Sequence, residues 1–195
     1  MKKDLILIFM ISFLINFSAS AQKKKIHFRS IDQFAIVGGE SQMIDGETRV
    51  NIAFQTVNGI KFSNWFSGIG IGVDNYHYKT LPLFIDGRWY FDDEERGFIY
   101  GDLGYNFPMK DKPGKEINYY DSYHFNGGIY TDIGIGYEVP LHKKSSLLFS
   151  LGYSNKKVET KVGVNVCGIT GPCWVDYSKY EFDFNRMILK AGLVF

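Results

Sequence analysis

Between residues 48 and 195, in stretches interrupted by turn residues, apolar side chains recur at every second position, not every third or fourth. That is the period of a strand with one greasy face. The longest run is 123–141. Its odd positions hold Tyr123, Phe125, Ile129, Ile133, Ile135, Tyr137, Val139 and Leu141; its even positions hold His124, Asn126, Asp132, Gly134, Gly136 and Glu138. The same split sets Leu81, Leu83, Ile85, Trp89 and Phe91 against Asp86, Arg88 and Tyr90. It sets Ile99, Leu103, Tyr105 and Phe107 against Tyr100, Asp102, Gly104 and Asn106. Leu147, Phe149, Leu151 and Tyr153 likewise oppose Ser150, Gly152, Ser154 and Lys156. In GIGIGVD, Ile69, Ile71 and Val73 oppose Gly68, Gly70, Gly72 and Asp74.

The pattern predicts an all-β chain of eight antiparallel strands, with cores at 31–40, 48–57, 65–76, 80–91, 98–107, 123–140, 147–158 and 180–195. The first strand is the weakest. In the last, Tyr180, Phe182 and Phe184 are apolar on even positions, while Met187, Leu189, Ala191, Leu193 and Phe195 are apolar on odd ones. A β-bulge near Asn185 would reconcile the halves. Short turns are expected at Asn58-Gly59, 92–97 and 142–146, and long loops at 108–122 and 159–179. Short turns at one end and long loops at the other are the signature of an up-and-down transmembrane barrel.

Alternation alone does not separate such a barrel from a soluble, lipocalin-like ligand-binding barrel. The polar face does. It carries few surface-type lysines and glutamates, and is instead glycine, tyrosine and charges of both signs. Asp74, Asp86, Asp102, Asp132 and Glu138 stand against Arg49, Arg88, Lys156, Arg186 and Lys190. Such a balance suits a packed lumen in which charges pair. Arg88 is expected to pair with Asp86, Asp102 or Asp132, within a network that includes Glu138, Arg49 and Lys190. Aromatics make up 17% of the chain and gather near strand ends. Trp65, Trp89, Phe91, Tyr137 and Phe195 mark one girdle; Tyr76, Tyr78 and Tyr123 mark the other.

The first 21 residues read as a signal peptide: Lys2 and Lys3, an apolar run, then Ala19-Ser20-Ala21 before the cut. The mature domain is then 22–195. The whole chain has 22 Lys+Arg and 21 Asp+Glu, and losing Lys2, Lys3 and Asp4 leaves 20 of each. That neutrality argues against a nucleic-acid partner. Cys167 and Cys173, in CGITGPC, are the two cysteines. In an exported protein they are expected to form a local disulfide.

TVNGIKFSNWFSGIGIGVDNY followed by TLPLFIDGRWYF resembles the small Bacteroidetes-type outer-membrane β-barrel proteins, barrels of the OmpA, OmpX and OmpW kind. The ending RMILKAGLVF resembles their C-terminal signal strand. The resemblance implies location in the outer membrane of a Gram-negative bacterium, contact with its lipid, and reading of Phe195 by the barrel-assembly machinery. It implies little about activity.

An eight-stranded interior is filled by its own side chains, with the inner-face glycines making room for Arg88, Tyr90 and Tyr130. GIGIG lies inside a strand with no helix after it, so no phosphate loop is expected. His77, Ser122 and His124 lie near loop ends without a fixed base, orienter and oxyanion donor, and Asp92 to Glu95 reads as a solvated turn. The expectation is therefore a non-catalytic barrel without cofactor or metal, with a structural or surface-interaction role. Tyr119, Tyr120 and Trp174, on the long loops, are its recognition candidates. A lipid-modifying enzyme and a narrow transporter of small apolar molecules are the alternatives.

Overall fold

The computed structural model describes residues 26–40, 48–75, 79–92, 94–109, 120–142, 145–167 and 173–195. They form nine strand segments: β1 (Ile26–Glu40), β2 (Thr48–Phe62), β3 (Trp65–Asn75), β4 (Lys79–Tyr90), β5 (Gly97–Pro108), β6 (Tyr120–Asn126), β7 (Gly128–His142), β8 (Ser145–Cys167) and β9 (Cys173–Val194). Each pairs antiparallel with its neighbours, and β1–β9 pairing closes the ring. β6 and β7 are two parts of one ring strand, so eight strands make the wall. Asn126 pairs with Glu159 but Tyr130 pairs with Lys156. One strand advances four residues while the other advances three, which is a bulge at Gly127-Gly128.

The ladder fixes the barrel's stagger. Pro108 leads through Thr80, Asp74, Ala53, Ala35, Lys190, Ser150 and Gly136 back to β5 at Phe98, ten residues along. Ten residues of stagger over eight strands correspond to a strand tilt of about 40°. Backbone bonds between Ser30 and Phe195, at 2.9 and 3.1 Å, extend the closing seam.

Within the ring, burial alternates along the strands, and its sense is inverted relative to a soluble fold. Leu83, Ile133 and Leu193 are 45%, 62% and 39% exposed, while Asp86, Asp132 and Lys190 are at most 1% exposed. The outward apolar faces set aside the soluble-barrel reading. Trp65, Trp89, Phe91, Tyr137 and Phe195 are all exposed at the short-turn end, where Trp65 and Trp89 rings lie 6.4 Å apart. Tyr105 and Phe107, 5.0 Å apart, are exposed at the opposite end of β5.

Several expectations need correction. Asn58 and Gly59 lie inside β2, paired with Ser30 and Arg29; the turn is Ser63-Asn64, with Ser63 at φ 52°. A positive φ there suits a two-residue hairpin turn. Gly59 reads as a turn residue, but its reason is close approach: a Cβ would collide with the backbone of Ser67 and Gly68. No bulge interrupts β9 at Asn185. The β8–β9 register is continuous from Ser146↔Val194 to Cys167↔Cys173. Phe184 therefore faces inward with Arg186, Ile188 and Lys190. The expected loop at 159–179 is largely strand, since β8 runs to Cys167 and β9 starts at Cys173. The inner glycines make room for residues other than those expected: Cβ atoms at Gly70 and Gly136 would strike the rings of Phe84 and Phe98.

The signal peptide, Tyr76, His77, Tyr78 and Tyr119 lie outside the described residues. So do the side chains of Arg49, Tyr120, Ser122, Tyr123, His124, Cys167, Cys173 and Trp174.

Candidate functional site

The lumen is a stack of polar layers. At the short-turn end, Arg29 Nη1 donates to Glu138 Oε2 at 3.0 Å, and the Tyr90 hydroxyl donates to the same carboxylate. Lys61 Nζ lies 3.7 Å from the Tyr90 ring centroid and pairs at 2.8 Å with Glu95, in the β4–β5 turn. That turn is tied by Asp92 Oδ1, which accepts from the backbone N–H groups of Arg96 (2.7 Å) and Gly97 (2.9 Å).

Above this layer, Arg88 and Asp86 form a two-point pair on adjacent inward positions of β4. Arg88 Nε donates to Oδ1 at 3.0 Å and Nη2 to Oδ2 at 2.8 Å. At mid-barrel, Lys190 bridges Asp132 at 2.8 Å and Asp102 at 3.2 Å. Hydroxyls of Tyr100 and Tyr130 also donate to Asp132, at 2.9 and 3.2 Å. Gln55 Nε2 donates to Tyr130 at 3.0 Å, and Gln33 Nε2 to Gln55 at 2.8 Å. One network thus ties β1, β2, β5, β7 and β9. Nearer the long-loop end, Lys156 pairs with Asp74, which also accepts from the Thr80 hydroxyl.

The structure places Arg88, Asp86, Asp102, Asp132, Glu138 and Lys190 in the lumen and fixes their partners. Arg88 takes Asp86, while Asp102 and Asp132 go to Lys190. Arg29 and Lys61 are additional members. A further regularity is that each buried cation lies over an aromatic ring. The pairs are Lys61 with Tyr90, Arg88 with Phe66 and Phe98, Lys156 with Tyr130, Arg186 with Phe184, and Lys190 with Tyr100. A ring face stabilises a desolvated cation by roughly 2 kcal/mol or more. Tyrosine and phenylalanine on the polar face were the available signal.

The long-loop end differs. Ala35, Val37, Ala53, Val158, Phe184 and Ile188 form an apolar cluster inside the lumen, with Phe182 packed against it. Beside it, at the Gly127-Gly128 bulge, a cavity of about 290 Å³ is lined by Tyr105, Ile129, Val158 and Phe182, with Lys157 and Asp183 among its polar walls. Beyond the wall, β6, β8 and β9 continue as a three-stranded ribbon. Its outer face carries Lys179, which bridges Glu159 and Glu181 at 2.8 and 2.7 Å. The hydrogen bond from Lys179 holds the Glu159 carboxyl below its ordinary range, and the bond to Glu159 raises Lys179. Cys167 stands directly opposite Cys173 in the ladder.

An inverted, plugged, eight-stranded ring is the architecture of outer-membrane barrels, and solved structures agree. The chain superposes on outer membrane protein AlkL, solved in DMPC bilayers, with a TM-score of 0.55 and 14% identity over 90% of this chain and 92% of that one. It superposes on OprG from Pseudomonas aeruginosa with a TM-score of 0.52 and 14% identity, over 88% and 95%. At that identity the likeness concerns the fold. No family model and no curated protein matches the sequence.

Proposed function

We propose that the protein is a non-catalytic barrel in the outer membrane of a Gram-negative bacterium, exported by its signal peptide, and that its working part is the outward ribbon. The observation that carries this is the length of the β8–β9 ladder. Past Tyr153↔Met187, the outermost apolar pair on the lipid face, fourteen further pairs follow to Cys167↔Cys173. At about 3.3 Å per residue this is roughly 45 Å of strand beyond the apolar band. A membrane anchor needs no such extension, and Asn155, Lys157, Asp183 and Asn185 on its outer face suit water and headgroups. The polar layers below it favour a lumen that conducts nothing. A disulfide between Cys167 and Cys173 would stiffen the tip and lower the entropy lost on binding.

The test has two arms. In planar bilayers the full chain should give no conductance steps. On cells, deleting 160–179 should abolish surface adhesion while leaving the barrel heat-modifiable on gels. Intact adhesion after that deletion would defeat the proposal. The second reading, a narrow transporter of small apolar molecules, is favoured by the apolar cluster at the mouth. Uptake of a hydrocarbon into protein-containing vesicles at a rate above that of plain vesicles would support it.

A further inference from the structure

We propose that the outward ribbon pairs with a second copy of itself, edge to edge through β9, and so joins two barrels that stand in facing membranes. The pairing rests on the ribbon being the working part, as proposed above, and gives that part a partner. β1 leaves β9 at Gly38↔Met187, whereas β8 stays on the other side of β9 to Cys167↔Cys173. Above Met187, one edge of β9 therefore has no strand along it among the described residues. Phe195 exchanges both of its backbone bonds with Ser30 of β1. Alternate residues of an antiparallel strand bond to the same side, so Lys179, Glu181 and Asp183 aim their N–H and C=O groups at the open side. Such an edge is a template for another strand. The ribbon's other edge, β6, is interrupted by a register shift between Tyr120 and Ser122, while the β9 register is continuous.

Charge selects the occupant and its register. Two like-charge rungs lie next to one another on the outer face of the ribbon: Lys161 stands opposite Lys179, and Glu159 opposite Glu181. Like charges directly opposite one another destabilise a sheet. The bridges from Lys179 to Glu159 and Glu181 offset part of this, yet the Lys179 and Glu181 side chains stay 50% and 73% exposed. Because odd residues face odd ones across the open edge, the two-fold axis of an antiparallel pair passes through a residue of β9. Centred on Lys179, it stacks two lysines; centred on Glu181, two glutamates. Centred on Tyr180, it sets each Lys179 against Glu181 of the other copy, and the lysine rung of each ribbon against the glutamate rung of the other. An unrelated strand lacks this order of charges. β9 runs from tip to bilayer in each copy, so antiparallel edges place the two barrels in opposite membranes. Tyr180 lies seven residues beyond Met187, roughly 23 Å of strand past the apolar band, which keeps the contact clear of both bilayers.

The test is tethering between two populations of phosphatidylcholine vesicles carrying the full chain, one captured on a surface and one fluorescent in solution. Wild-type vesicles should tether to one another and not to empty vesicles. Lys179→Glu and Glu181→Lys, made singly, should each lower self-tethering about tenfold while leaving the barrel heat-modifiable on gels. The double variant, Lys179→Glu with Glu181→Lys, keeps the composition and reverses the order. It should tether to itself as wild type does, and fail to tether to wild type. Should a single reversal fail to fold, the double variant carries the test alone. Wild-type vesicles that stay apart overturn the inference. So does self-tethering that survives a single reversal, or a double variant that tethers equally to itself and to wild type. If deleting 160–179 abolishes cell adhesion while wild-type vesicles stay apart, the ribbon has another partner: this inference falls and the proposed function stands.

Discussion

The two ends of the lumen are built on opposite terms. Toward the short turns, each buried charge has a partner of opposite sign, and the cations also have a ring: Arg29 with Glu138, Arg88 with Asp86, Lys190 with Asp102 and Asp132. Toward the long loops, Asn106 and Thr160 lack partners, and apolar residues turn inward. The lower half spends its polar groups on one another. The upper half pairs Lys156 with Asp74 but leaves the side chains of Asn106 and Thr160 without partners. A barrel can do this because its wall is held by a closed ladder, which leaves the packing of the lumen free to differ from one end to the other.

Mutations should separate the two halves by size and sign of effect. The largest loss is expected at Lys190. Lys190→Met leaves Asp102 and Asp132 buried side by side without a cation, which should destabilise by about 3–5 kcal/mol. Urea unfolding in vesicles, followed by tryptophan fluorescence, reads this. Glu138→Gln keeps the shape but removes the charge facing Arg29 and Tyr90; a loss of about 1–3 kcal/mol is expected by the same assay. Asn106→Leu should have the opposite sign, neutral or stabilising by up to about 1 kcal/mol, because it removes two unpaired atoms from the interior. Loss of stability there comparable to that at Lys190 would erase the contrast.

The smallest effect belongs to the ribbon. Glu159 is held below its ordinary range by Lys179, so its contribution is complete above that range and disappears as pH falls through the lowered value. Lys179 is raised, so its contribution is complete below the ordinary lysine range and is lost only as pH climbs through the raised value. Between those limits the bridge persists. Amide exchange at 159–163 and 178–181 should quicken below the ordinary carboxylate range and stay level across neutral pH, with 146–153 unaffected.

The wall was legible in the sequence because hydrocarbon imposes one simple demand on every outward side chain. Leu83, Ile133 and Leu193 meet it, and the strands holding them follow from alternation. Where that demand ends, the reading loosened. Past Val158, Glu159, Thr160 and Lys161 put polar groups on both faces of β8, so the ribbon reads as loop. The inner partners were less legible because closure joins residues far apart in the chain. Arg29 and Glu138 are 109 positions apart, and Lys190 and Asp102 are 88 apart. Period two says which face a charge occupies but not which strand stands across a ring. Lys61 was lost for another reason: the Asn58-Gly59 pair before it imitates a turn, although the glycine is there for interstrand closeness. Gly127-Gly128 fits an unbroken strand pattern as well as a bulged one, so the recess gave no sign.

The most direct measurement is collisional accessibility of nitroxide labels placed one at a time at Leu83, Ile133 and Leu193 in lipid vesicles, and at Ser150 on the inner face. The first three labels should relax with oxygen dissolved in the bilayer and resist a water-soluble nickel chelate, while the label at Ser150 should respond weakly to both. If the chelate reaches Leu83, Ile133 and Leu193 and oxygen in the bilayer does not, the apolar faces do not meet lipid and the account fails.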